Sequence, residues 1–386
     1  MKYWMNRSLY LSWIVTLALS LNMVGLIAAR TKFFHLGAYY LFLLLAVVVA
    51  ALYIAVNHFK FDLKRSDLVL YSLPLLMVLL SAATRPYDVD ALKAYGLILV
   101  TLLLVTAVSF SKEQVEWLTK SYLLSALIFS VVMLVQRRLP YEEYNLLRYG
   151  IFFDDQQFYD INFTAAYLII PNLIALYRFL EGQKIYLLVW IMISIPIIMT
   201  GSRGAVVPII LVLLYKLITK KGITFKQLLI FIGILLLSLF FIPNELRERF
   251  FAKSYMTDGS NIRRFSEWRL GFEIFLEKPI LGQGMVAPIR LLSKFEQGMT
   301  AHNSFLVYLI HFGIVGTIAF IGQLLQIFSR LLKVSKDYIG MIFAFVFSMI
   351  LIEANTSLIF IIPLIYFVIV GKADTSIRQG KLEHSE

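Results

Sequence analysis

The chain has 386 residues, 60% of them hydrophobic and only 16% charged, with a mean hydropathy of +0.78. A soluble domain is about half apolar and a quarter charged, so this composition excludes a soluble globular protein and indicates a multi-span membrane protein. The absence of cysteine excludes disulfides and thiolate metal sites. The net charge of +12 reads either as topology-fixing charge in cytoplasmic loops or as a surface for an anionic partner.

In chain order, apolar runs of spanning length fall at about 9–29, 33–56, 68–83, 92–110, 118–135, 163–180, 185–200, 204–219, 226–243, 303–329, 337–353 and 355–370. The expectation is therefore an all-α integral membrane protein of about twelve spans, forming one polytopic domain over residues 1–386. No small-residue cleavage site follows the first run, which reads as a span and not as a removed leader. With the N-terminus inside, the cytoplasmic loops carry Lys60, Lys64, Arg65, Lys112, Lys120, Arg178, Lys184, Lys216, Lys220, Lys221, Lys226, Arg330, Lys333 and Lys336. The short outer loops hold about half as many basic residues, and an even span count puts both termini in the cytoplasm.

Three outer segments stand apart. The first runs from about Gln136 to Asn162 and mixes Arg148 with several carboxylates. The second is the hairpin Thr200-Gly201-Ser202-Arg203-Gly204-Ala205. The third is a long external loop over residues 244–302, between the ninth and tenth spans. Inside it Ile262, Phe265, Trp268, Phe272 and Phe275 or Leu276 recur at helical spacing, with Arg263, Arg264, Arg269 and Glu273 on other faces. That pattern predicts an amphipathic helix lying on the membrane surface or roofing a cavity.

Several residues in these segments suit chemistry on an anionic substrate. Arg203 stands between two spans with glycines on both sides, which fits a guanidinium clamp on phosphate oxygens or a turn residue touching lipid headgroups. Arg263, Arg264 and Arg269 make a strong local positive field on the loop helix, for a substrate diphosphate or for headgroups. His302 lies where water gives way to membrane, and histidine is the side chain best suited to move a proton near neutral pH; the alternative is a cap or interface residue. His311, further along the same span, reads as packing. Asn303, Glu267 and Glu353 are accessory polar groups. Asp88-Val89-Asp90 has the form of a metal-holding carboxylate pair, but so short a pattern is frequent by chance. There is no phosphate-binding glycine loop of the nucleotidase kind, no serine-hydrolase elbow, no zinc-protease helix and no dinucleotide fingerprint. Few charged groups lie mid-span, which argues against proton-coupled transport.

In order around the long loop come Thr200-Gly201-Ser202-Arg203-Gly204-Ala205, then Arg264-Phe265-Ser266-Glu267-Trp268 leading through Lys278-Pro279-Ile280-Leu281-Gly282-Gln283-Gly284, then His302-Asn303-Ser304-Phe305-Leu306 leading through Gly313-Ile314-Val315-Gly316. This ordered set resembles the O-antigen ligase and polymerase family over about residues 145–330. The resemblance implies a membrane glycosyltransferase of GT-C-like helical fold in the bacterial plasma (inner) membrane. Its donor would be an undecaprenyl-diphosphate-linked oligosaccharide, used on the external, periplasmic face without cofactor or metal. It further implies catalytic roles for Arg203, Arg264 and His302, with Arg263, Arg269 and Arg148 as further candidates for the diphosphate. The leading expectation is a polymerase of O-antigen or capsule repeat units, whose partners are a glycan acceptor, membrane lipid and a chain-length regulator. The nearest alternative is the ligase, with lipid A–core as acceptor. A lipid-linked oligosaccharide flippase is the reading from another class, and nothing suggests nucleic acid.

Overall fold

The computed structural model describes residues 2–25, 38–57, 65–136, 150–153, 156–157, 161–219, 229, 233, 259–286, 301–353, 355 and 357–383. The fold is all-helical because long runs of Leu, Val, Ile and Ala must satisfy their backbone hydrogen bonds internally once water is excluded. The helices are α1 (Lys2–Val24), α2 (Ala38–Val56), α3 (Arg65–Thr84), α4 (Val89–Ala107), α5 (Lys112–Gln136), α6 (Ile161–Leu180), α7 (Ile185–Met199), α8 (Arg203–Thr219), α9 (Gly259–Glu277), α10 (Ser304–Val334), α11 (Ile339–Leu351) and α12 (Leu358–Glu383). A two-residue antiparallel pairing of Phe152–Phe153 with Gln156–Gln157 is the only sheet among the described residues.

Among the described residues, α4, α5, α6 and α10 are long and apolar enough to cross a membrane, and shorter apolar stretches lie in α1, α2, α3, α7 and α12. The run expected near 226–243 lies outside the described residues except Leu229 and Gly233, and Arg148 lies outside them altogether. Leucines and valines of α1, α2 and α3 such as Leu21, Leu44, Val48, Leu52, Leu76 and Leu79 are exposed. So large an apolar surface suits lipid and not water.

The bundle packs α1 on α2 and α5, α10 on α3, α11 and α12, and α6 on α7, α5, α8 and α12. Buried residues run almost the whole length of α6. Its Asn172 is satisfied across to α7, donating to Ser194 Oγ at 2.7 Å and accepting from Trp190 Nε1 at 3.2 Å. A buried amide in an apolar bundle costs little once both its groups are paired.

The two ends of the bundle differ in character. Basic side chains meet carboxylates at both ends, and at one end they also meet helix C-termini. Arg178 pairs with Glu116 and Lys216 with Asp337. Buried Lys372 donates to the carbonyls of Thr106 and Val108, which end α4. Cations at helix C-termini oppose the helix dipole favourably. The other end gathers the N-termini of α4, α8 and α10, the C-terminus of α11, and α9, and Arg203, Arg263, Arg264, Arg269 and His302 fall there.

Candidate functional site at the start of the tenth helix

Asn303 caps α10: its backbone is extended and its Oδ1 accepts from Leu306 N at 3.0 Å. The accessory polar group expected at this position is thus a helix cap. Ser304 fastens the same turn to the linker after α11. Its Oγ donates to Ile352 O at 2.7 Å, and its carbonyl accepts from Asn355 Nδ2 at 2.8 Å. Between cap and loop, His302 has a φ of 41°. A left-handed backbone at a non-glycine residue costs free energy and persists only where neighbours hold it.

Glu267 is the main holder. Its Oε2 lies 2.6 Å from His302 Nδ1, and its Oε1 accepts from Arg263 Nε at 2.9 Å. The carboxylate is 0% exposed while the histidine side chain is 32% exposed. An ionised carboxylate only accepts, so against it Nδ1 carries a hydrogen, and in the neutral ring the lone pair is then on Nε2. The sequence marks Glu267 only as an accessory group inside a motif, because a separation of 35 residues has no helical meaning. The dyad exists only once α9 folds back onto α10.

The docking of α9 explains how an acidic residue comes to be buried. Ile274 and Phe275 pack on Ala301, Leu306, Val307 and Ile310. Gly271 lets the helices approach, since a Cβ there would meet Leu306 Cδ2 at 2.7 Å. Of the expected apolar face, Phe275 is buried and Trp268 half-buried while Ile262, Phe265, Phe272 and Leu276 are exposed; the buried stripe runs through Glu267, Gly271, Ile274 and Phe275. Of the three arginines, Arg263 bonds to Glu267 and Arg264 is half-buried. Arg269 is exposed and pairs with Glu273 one turn on, at 3.1 Å.

A second carboxylate lies on the linker side of His302. Glu353 accepts a hydrogen bond from the backbone N–H of Ala301. Burial pushes its pKa up to about 7, with the nearby His302 opposing the rise and Glu267 adding to it.

Arg203 opens α8 at the same end. Its turn is made by Gly201 at φ 60° and by Ser202, whose N donates to Thr200 Oγ1 at 3.1 Å and whose Oγ donates to Asn162 Oδ1 at 3.1 Å. Gly204 abuts α11, where a Cβ would come 3.0 Å from Leu351 Cδ1. Leu351 immediately precedes the Ile352 and Glu353 linker that holds Ser304 and Ala301. The α7–α8 turn and the His302 turn are therefore braced on one short stretch.

The glycine-bearing remainder of the motifs builds a backbone splice. Within α10 Gly313 is non-helical, at φ 62° and ψ −167°. The turn segment 279–284 runs into that break. Ile314 N donates to Pro279 O at 2.8 Å, Gln283 N to Ile310 O at 2.7 Å and Gly284 N to His311 O at 3.1 Å. A Cβ on Gly313 would lie 2.3 Å from Ile280 O, and one on Gly282 would lie 2.4 Å from His311 O. Both positions need glycine for conformation and for room. His311, expected only to pack, is hydrogen-bonded at both nitrogens, with Nε2 3.1 Å from Val286 O and Nδ1 3.3 Å from the Tyr95 hydroxyl.

The Asp88 and Asp90 pair has an explanation within the fold. Asp88 caps α4 by accepting from Asp90 N at 2.9 Å, and its own N–H donates to Met285 O at 2.8 Å. Asp90 is exposed and pairs with Lys93 at 3.5 Å. Among the described residues no group of three or more His, Asp or Glu side chains converges as a metal site would require.

No curated protein matches the chain. Residues 187–321 do match a family, and they run from α7 through the Arg203 turn, the α9 arginines and His302 to beyond the Gly313 break. Over that stretch, about a third of its length, this all-helical chain is similar to the O-antigen ligase family.

Proposed function

We propose that the protein is a polysaccharide polymerase of the outer face of the bacterial plasma membrane, joining repeat units carried on undecaprenyl diphosphate. The observation that carries this reading is the Glu267–His302 dyad, with a buried carboxylate on Nδ1 at 2.6 Å, standing beside an arginine-bearing helix in a match to the O-antigen ligase family. In this reading the twelve spans form a GT-C-like domain with both termini cytoplasmic, and the end holding His302 faces outward.

The chemistry needs no nucleotide, because the donor sugar already sits on a diphosphate. The acceptor hydroxyl oxygen attacks C1 of the donor sugar, and its proton passes to His302 Nε2. The C1–O bond to the diphosphate breaks, and undecaprenyl diphosphate departs with the electron pair. One displacement inverts the configuration at C1. Glu267 stabilises the imidazolium formed, and Arg203 and Arg264 hold the diphosphate as its charge grows. Arg263 is engaged in positioning Glu267, and Arg269 sits further out on α9, so both act on the diphosphate less directly.

The second reading is the ligase, favoured by the family that residues 187–321 match. Donor, dyad and arginines are the same; only the acceptor, lipid A–core, differs. The test is transfer by the purified chain in nanodiscs, given the lipid-linked repeat unit with and without lipid A–core. A ladder from donor alone identifies the polymerase, and product only with lipid A–core identifies the ligase. Translocation of labelled donor across vesicles without new glycosidic bonds overturns both in favour of a flippase. His302→Ala should abolish transfer in a protein that still inserts and folds, and normal product from it would overturn the role of the base.

A further inference from the structure

The linker between α11 and α12, whose Asn355 side chain also reaches the Tyr95 hydroxyl, carries three oxygens left without a partner. Glu353 Oε2, Asn355 Oδ1 and Ser357 Oγ are each shielded from solvent and have no hydrogen-bond partner among the described residues. Their neighbouring atoms are well used. The other carboxyl oxygen of Glu353 takes the Ala301 N–H, Asn355 Nδ2 donates to Ser304 O at 2.8 Å, and Ser357 O accepts from Phe360 N at 3.0 Å. The linker is thus held in place by one set of groups while a second set is left over. Asn355 is only 6% exposed. A buried polar atom without a partner costs about 1–3 kcal/mol, so three within five residues of chain call for a ligand.

The position says which ligand. Ala301 and Ser304, to which Glu353 and Asn355 are fastened, bracket His302. Asn355 Oδ1 only accepts, Ser357 Oγ accepts or donates, and Glu353 Oε2 belongs to a carboxyl group, so an anionic diphosphate is the wrong partner. A ligand rich in O–H donors is the right one. Positive charge and free oxygens are also segregated at this end: arginines lie on α8 and α9, acceptors on the 353–357 linker.

We infer that the 353–357 linker is a sugar subsite, in which Glu353 Oε2, Asn355 Oδ1 and Ser357 Oγ bind ring hydroxyls of the glycan whose reacting atom faces His302. The inference rests on the proposed glycan transfer and adds to it where the sugar, as distinct from the diphosphate, is held. It also separates recognition of the lipid carrier from recognition of the repeat unit, placing them on different elements.

The experiment uses the full chain in nanodiscs, with Ser357→Ala and Glu353→Gln. Three quantities are measured: KM and kcat for transfer from the lipid-linked donor, binding of the repeat-unit oligosaccharide released from that donor by mild acid, and the unfolding temperature. Each variant should raise KM and weaken oligosaccharide binding roughly tenfold, the worth of one buried hydrogen bond. The unfolding temperature should hold or rise, because Ser357→Ala removes an unsatisfied buried atom and Glu353→Gln removes a buried charge. Unchanged KM and binding overturn the inference. A fall of several degrees in unfolding temperature overturns it too, by showing that these atoms strut the fold. Wild-type protein that binds the oligosaccharide but forms no product would refute the transfer reaction and leave the subsite standing; active wild type with unaffected variants would do the reverse.

Discussion

Replacing Glu267 by Gln tests the dyad with the least change of shape. The carboxylate is fully buried, with one oxygen 2.6 Å from His302 Nδ1 and the other 2.9 Å from Arg263 Nε. Gln keeps both contacts geometrically but loses the charge. With its amide oxygen toward Arg263, it presents N–H to His302, which must then accept at Nδ1 and carry its hydrogen on Nε2. That is the wrong tautomer for a base whose lone pair must meet the acceptor hydroxyl. The electrostatic part adds to this. Two unit charges about 4 Å apart at an effective dielectric of about 20 attract by about 4 kcal/mol, an upper bound that Arg263 reduces. At about 1.4 kcal/mol per decade, the expected loss in kcat is about 10²- to 10³-fold. KM should change little and the unfolding temperature should hold, because Gln also removes a buried charge. The assay is single-turnover transfer at saturating donor in nanodiscs, with the unfolding temperature measured on the same preparation. A kcat within about threefold of wild type would refute the argument that Glu267 sets the tautomer and charge of the base.

Arg203→Lys should lose at least about a hundredfold in transfer, since an ammonium replaces a bidentate fork on the diphosphate; full activity would reduce Arg203 to a generic positive charge. Gly313→Ala should destabilise the fold by about 3 kcal/mol or more, because its Cβ lands on backbone and its φ is positive. Gly96→Ala is the matched control, with nothing within 4 Å of its Cβ, and should hold or gain stability; equal losses at both positions would refute the splice. For Glu353 the folded pKa, about 7, lies above its ordinary value of 4.5. Its stabilising contribution is therefore complete below the ordinary value and is lost as pH rises through about 7, by roughly 3 kcal/mol at most. Unfolding temperatures from pH 5 to 8 should fall for wild type and stay flatter for Glu353→Gln, and parallel curves would count against the burial of this carboxyl.

Much of the fold was legible in one dimension, because in lipid a helix satisfies itself and its length is set by the bilayer. Hydropathy alone marks α4, α5, α6 and α10, and helical spacing alone marks α9. Motif order pointed to the O-antigen ligase family, which residues 187–321 match. The rest depends on contacts between distant segments. Which face of α9 is buried turned on Gly271 admitting Leu306, which no periodicity encodes. The roles of the glycines after Lys278 became visible only when that segment met the break at Gly313, where backbone bonds to backbone and side-chain pattern carries no signal. Composition and hydropathy determine that this chain folds into apolar helices, four of them among the described residues long enough to cross a membrane. Only tertiary packing brings Glu267 to His302 and leaves the oxygens of the 353–357 linker without partners, because those energies belong to pairs of atoms that the chain separates by tens of residues.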